Sequence, residues 1–248
     1  MKRALLTFDW DWAPDILVEP IIDQLISSNT PSIWFVTHDT PLLDKMRRYS
    51  NLFELGIHPN FFKGSTQGAS EDEIIVNMLK IVPEARSIRT HGLYQYSNLI
   101  LELGSKYDLA FDFSIFLPNS LIQPHEFIFR DQKITRFPYN WEDDIAMFDP
   151  KGLEECFNLV LSLDRSIFDF HPIHVALNSK DLDIYNLLKS IEPNLGKWTQ
   201  KFCDPYIKRE LPGTQNILSM LINEHTNKNI LMTLDDFSSY EDRLNREN

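Results

Sequence analysis

Apolar, β-prone runs recur along this 248-residue chain at intervals of roughly 25–35 residues, most of them followed by a helix-period pattern. That rhythm is the sequence form of strands and helices alternating around a parallel sheet. Residues 3–8 read as a buried strand, and residues 15–27 as a helix with Ile16, Leu17, Ile21, Ile22 and Leu25 on one face. Further strands are expected at 32–37, 52–57, 87–89, 109–113, 127–129, 134–137 and 166–170, and helices at 41–48, 97–103, 150–163 and 180–191. Ser70 and Glu73 form a capping box that opens a helix through residue 82, stopped by Pro83. Pro150 behind Asp149 suits a helix start. Residues 192–213 hold Pro193, Pro205 and Pro212 and little periodicity, so a loop-rich excursion is expected before a last helix at 214–224, with 230–234 closing the sheet. No repeat or linker interrupts the pattern, which predicts one domain over residues 1–248.

With 43% hydrophobic and 24% charged residues the chain can bury a core. Its net charge of −12 repels phosphate backbones and anionic lipid, so nucleic acid is not an expected partner. Cys156 and Cys203 stand far apart and outside any CxxC spacing, which excludes a disulfide framework and a zinc ribbon. The apolar stretch behind Met1-Lys2-Arg3 ends at Phe8 before Asp9, Asp11 and Asp15, too soon for a signal peptide, and no run reaches the roughly 20 residues of a membrane span. A cytoplasmic location without membrane insertion is the expectation; oligomeric state is not legible.

The chemistry-bearing residues gather just behind predicted strands, where parallel α/β folds place their functional loops. Asp9 and Asp11 in LTFDWDWAP lie on one side of an extended chain and need a cation or a shared proton. A strand-end Asp-x-Asp fits a nucleotide-sugar metal site, a haloacid-dehalogenase-like phosphotransferase or a deacetylase. Ala13 stands where the phosphotransferase expects Thr or Val, although Asp235-Asp236 imitates its late acidic motif. His58 in GIHPN is a suitable ligand for a borderline divalent ion. Arg89 in SIRTHGLYQYS offers a fork that can hold a carboxylate bidentately, and His171 in FDFHPIH is placed as a general acid.

In order, Asp-x-Asp, Gly-Ile-His-Pro, Arg-x-x-Gly-x-Tyr, Asn-Trp and Phe-His-Pro resemble the motifs of the NodB-homology polysaccharide deacetylase family across residues 4–178. The resemblance implies an irregular (β/α) barrel of seven or eight strands. It implies that Asp9 is the general base, Asp11 and His58 metal ligands, Arg89 the residue orienting the base, Trp141 the lining of the acid's pocket and His171 the general acid. Asp143 or Asp144 would support that acid. It further implies one divalent ion, zinc or else cobalt, nickel or manganese, and removal of an acyl group, N-acetyl above all, from a sugar in surface polysaccharide biosynthesis.

One position departs from the pattern. The family's second histidine of HxxxH falls on Phe62, which cannot bind a metal. His38, behind the second strand, and His91, two residues after Arg89, are both candidates to replace it, with Asn60 a weaker oxygen donor. Tyr94 can serve the oxyanion, Trp12 can stack on a sugar, and His174 can bind substrate or satisfy a loop. Two alternatives stay open: an amidase acting on a small amide or imide, and a non-catalytic sugar-binding relic. Location alone favours a nucleotide- or lipid-linked sugar over mature polymer.

Overall fold

Strand parity places the chemistry. In β1 (Arg3–Asp9), Ala4, Leu6 and Phe8 fall on one face and Leu5, Thr7 and Asp9 on the other. In the computed structural model, which describes residues 2–129, 132–207 and 212–247, both faces are buried. Ala4, Leu6 and Phe8 join the layer beneath the helices, whereas Leu5 belongs to a second cluster inside the curled sheet with Ile33, Phe35, Phe113, Tyr139 and Ile167. A strand buried on both faces reads as a continuous apolar run, which is why residues 3–8 carry so little polarity.

Helix and strand then alternate as the sequence predicts. α1 (Asp15–Ser27) leads to β2 (Ser32–Val36), α2 (Leu42–Arg47) to β3 (Phe53–Ile57), α3 (Glu71–Ile81) to β4 (Ser87–Ile88), and α4 (Ser97–Tyr107) to β5 (Phe111–Asp112). At the start of α3 the Ser70 hydroxyl accepts from Glu73 N, while the Glu73 carboxylate accepts from Ala69 N and not from Ser70 N, so the box is completed one residue early. The middle is an antiparallel hairpin of β6 (His125–Phe129) and β7 (Gln132–Arg136), with β7 added in parallel to β5. β8 (Trp141–Glu142), α5 (Asp143–Ala146), α6 (Leu153–Leu161) and β9 (Arg165–Phe170) follow.

The sheet order is β6-β7-β5-β4-β3-β2-β1-β9-β8. β9 lies against β1 from Arg3–Arg165 to Phe8–Phe170. A bridge between Phe116, beyond β5, and Tyr139, before β8, draws the flanks of the curled sheet together. The irregular barrel that the resemblance implies is therefore present, with a hairpin on one side.

α7 (Pro172–Leu177), α8 (Asp183–Ile191), α9 (Gln200–Cys203), α10 (Thr214–Lys228) and α11 (Leu234–Glu247) complete the described elements. Here the boundaries depart from expectation. The helix expected from 150 starts at Leu153, because Gly152 takes φ 79° ahead of it, and the helix expected from 180 starts at Asp183. Residues 230–234 add only an Ala4–Leu231 bridge, and Leu234 opens a helix whose Leu234 and Phe237 cap the inner cluster. The excursion after Glu192 is not merely surface: Trp198 and Cys203 are buried in the core. Residues 208–211 of it lie outside the described residues. Among the described residues no helix is long and apolar enough to cross a membrane.

Candidate active site

Parallel pairing brings the strands to a common rim, and backbone bonds extend the ladders past the strand ends. Trp10 N donates to Phe35 O, His58 N to Val36 O, Arg89 N to Ile57 O and His91 N to Pro59 O. The loops behind β1, β3, β4 and β9 thus deliver Asp9 and Asp11, His58, Arg89 and His91, and His171 to one place. Asp11 and Trp12 sit at φ 45° and 56°, an uncommon conformation for a tryptophan and one that clusters at functional sites. Trp12 N donates to the Thr37 hydroxyl, and the Trp10 indole to Ala13 O, so this tight turn is held on both sides.

At the centre, Asp11 Oδ1 lies 3.2 Å from His58 Nε2 and 3.1 Å from His91 Nδ1, and the two ring nitrogens are 3.2 Å apart. Two imidazole nitrogens and a carboxylate oxygen suit a borderline divalent ion. The spacing also fits, because ligand atoms about 2.0–2.1 Å from a tetrahedral ion stand roughly 3.3 Å from one another. Burial by itself would push the Asp11 carboxyl up, but hydrogen bonds from His58 and His91 and the charge on His58 hold it well below the carboxylate range. Burial likewise disfavours a charged His58, yet Asp9 and Asp11 raise its pKa. Among the described residues, the buried His58 Nδ1 has no hydrogen-bond partner.

Beside this group, Asp9 Oδ1 accepts from Arg89 Nη1 at 2.9 Å, and its other oxygen is 3.7 Å from His58 Nε2. The expected bidentate fork is not formed. The same Arg89 nitrogen also pairs with Asp169, Arg89 Nε donates to Phe113 O, and the guanidinium lies 4.2 Å from the Tyr139 ring centre and 4.6 Å from that of Phe35. The Thr7 hydroxyl donates to the same Asp169 oxygen at 2.7 Å. One guanidinium cannot compensate two buried carboxylates. Burial pushes Asp169 up to about 8 against the pull of Arg89, with the charge of Asp9 adding to the rise.

On the far side His171 Nδ1 is bound to Asp143 Oδ1 at 2.7 Å and its backbone N–H to Asp143 Oδ2, which leaves Nε2 facing inward, 3.7 Å from Asp11 Oδ2. Burial opposes protonation of His171, but Asp143 and Asp144 overcome it and raise its pKa well above the ordinary value.

The other anticipated residues scatter. His38 lies apart from the Asp11–His58–His91 group, its Nδ1 on the Thr37 hydroxyl and its ring edge-on to Trp10. Trp12 stands edge-on to His91, 5.4 Å between ring centres. The Tyr94 hydroxyl donates to Glu71, away from the cluster. Trp141 is buried against Phe157, Phe168 and Phe170. His174 is buried behind His171, with Nδ1 on Ser179. Asp169, Thr7 and Tyr139 were not anticipated. The signal was present for two of them: Thr7 shares the inward parity of Asp9, and Asp169 that of His171.

The barrel's strand ends thus bring a carboxylate–histidine cluster, an arginine-held aspartate and an aspartate-held histidine to one rim. The sequence profile described as WbmS-like polysaccharide deacetylase matches residues 6–189, and the chain belongs to that family. No curated protein matches the sequence. Among solved structures, a Bordetella bronchiseptica protein proposed to be a polysaccharide deacetylase involved in O-antigen biosynthesis is 30% identical, with TM-score 0.71 and 90% of each chain covered. A 4-α-glucanotransferase from Thermococcus litoralis, 11% identical with TM-score 0.52, covers 97% of this chain and 38% of its own, and shares the fold alone.

Proposed function

We propose that the chain is a metal-dependent hydrolase that removes an acyl group, N-acetyl above all, from a sugar. The observation that carries this reading is the convergence of Asp11, His58 and His91 between Asp9 and His171. Asp11, His58 and His91 would hold one divalent ion, of zinc, cobalt, nickel or manganese type, and such an ion supplies Lewis-acid polarisation of an acyl carbonyl.

The remaining work falls to the chain's own side chains. Asp9, with one oxygen held by Arg89, takes the proton of the attacking water on the other. Asp169 and Thr7 keep the guanidinium aimed at Asp9, and the Tyr139 and Phe35 rings enclose it. His171 starts protonated, because Asp143 fixes its Nδ1–H and favours the cation, and Nε2 then hands its proton to the departing amine. Proton transfers of this kind contribute roughly 10²–10⁴-fold each. The third donor from His91 supports an enzyme over a sugar-binding relic, since the loop behind β4 supplies what Phe62 lacks.

The test is metal content and acetate release from acetylated glycans by the metal-supplemented protein. Asp9→Asn should keep stoichiometric metal and lose turnover by at least about 100-fold; Asp11→Asn should lose the metal. Full activity in either variant defeats the role assigned to it.

A further inference from the structure

β8 and β9 pair in parallel, Trp141 with Phe168 and Glu142 with Asp169, so the chain past β8 turns into α5 directly beside His171. That turn carries three carboxylates in a row, Glu142, Asp143 and Asp144. The middle one is engaged by His171, whose ring Nδ1 and backbone N–H both bond to it. The outer two are arranged differently. One carboxylate oxygen from Glu142, one from Asp144 and a ring nitrogen of His171 lie within 4.8 Å of one another, a second group separate from Asp11, His58 and His91.

Asp143 holds Nδ1, so Nε2 is the nitrogen left to bind an ion. His171 is only 7% exposed, and among the described residues its Nε2 makes no hydrogen bond, with Asp11 Oδ2 standing 3.7 Å away. A carboxylate behind the far ring nitrogen is the brace that metal-bound histidines carry, because it fixes the tautomer and the ring plane. Glu142 is braced too: the Tyr139 hydroxyl donates to its Oε2 at 2.9 Å, which leaves Oε1. Asp144 Oδ1 is buried and has no hydrogen-bond partner among the described residues. Glu142 and Asp144 are themselves half-buried, so an ion can reach them from solvent. Burial, with the charge of Asp144 adding to it, pushes the Glu142 carboxyl well above the carboxylate range, as expected where two carboxylates need a cation or a proton between them.

We propose that Glu142, Asp144 and His171 form a second divalent-cation site, and that an ion bound there switches off the general acid. Two carboxylate oxygens and an imidazole nitrogen suit an ion of zinc, cobalt or manganese type. The ion takes the Nε2 lone pair and the Nε2 proton leaves to solvent, so His171 has none to give the departing amine. An ion that must first displace a proton binds the more weakly, which makes this the second site to fill. Asp11 stands between the two sites, with Oδ1 facing His58 and His91 and Oδ2 facing His171. The effect on turnover rests on the deacetylase reading, whereas the cation site stands on its own geometry.

The test is equilibrium dialysis of the parent protein against rising free zinc, with acetate release from an acetylated glycan followed in parallel. Two zinc steps are expected, the weaker moved to at least about 10-fold higher zinc in both Asp144→Asn and Glu142→Gln while the tighter stays in place. Turnover of the parent should rise with the first step and fall across the second, and in each variant the fall, scored against that variant's own maximum, should move with its second step. No zinc bound by the parent, a single step, or a second step that stays put in either folded variant would each overturn the site. Should Asp144→Asn fail to fold, Glu142→Gln carries the test alone. Turnover that holds through a second step sensitive to both variants would overturn the switch. Two such steps without acetate release at any zinc concentration would sink the deacetylase reading and the switch with it, and leave the cation site standing.

Discussion

At the scale of single residues, the departure at Phe62 is answered by His91. In the proposed metal site, the donor that the family pattern puts behind β3 comes from the loop behind β4, and Asp11 Oδ1 lies within 3.2 Å of both histidines. His91→Ala should therefore weaken zinc binding at least about 10-fold, whereas His38→Ala should leave it stoichiometric, as read by metal analysis after dialysis. The reverse pattern would move the third ligand to His38. Asp169→Ala should cut kcat at least about 10-fold with KM little changed and metal retained, because it removes the acceptor that steadies Arg89 Nη1 on Asp9. It should also displace the acid limb of the pH–rate profile, which a loss of packing alone would not do. Sequence spacing left His38 and His91 equivalent. What separates them is the reach of each loop across the rim, and that depends on long-range pairing.

At the scale of elements, the strands were legible because parity and apolar content are local, and helix ends were legible where a cap declares them, as at Ser70. Ends set by packing were not, as at Gly152 and Asp183. The 91–93 turn shows the difference. Gly92 takes φ 60°, and a Cβ built there would stand 2.7 Å from the Phe62 ring. Phe62 thus fills the space beside the turn that carries His91, and the two loops are made for each other. Gly92→Ala should cost roughly 1–2 kcal/mol in denaturant unfolding and lower metal affinity with it. Unchanged metal binding would show that the turn does not set the ligand.

At the scale of the whole molecule, burial of titratable groups makes stability depend on pH. Burial, with the charge of His171 adding to it, lowers the pKa of His174 to about 3, below the ordinary 6.5. The unfolded chain takes up a proton between those values that the folded chain refuses, so stability is full above about 6.5 and falls as the pH drops toward 3. Between pH 7 and pH 5 the parent protein should lose about 2 kcal/mol more than His174→Asn in urea unfolding. Equal losses would mean that His174 takes up its proton at the same pH in the folded and the unfolded chain.

The sequence by itself determined the alternation of strands and helices, the clustering of Asp9, Asp11, His58, Arg89 and His171 at strand ends, and the acidic character that argues against nucleic acid. Each follows from local periodicity or composition. Tertiary structure decided that Asp169 shares Arg89 with Asp9, that His91 and not His38 meets Asp11 and His58, that α11 caps the inner cluster, and that Glu142 and Asp144 gather beside His171. These are contacts between segments tens of residues apart, set by sheet order and by which face each loop turns inward, and no local pattern encodes them.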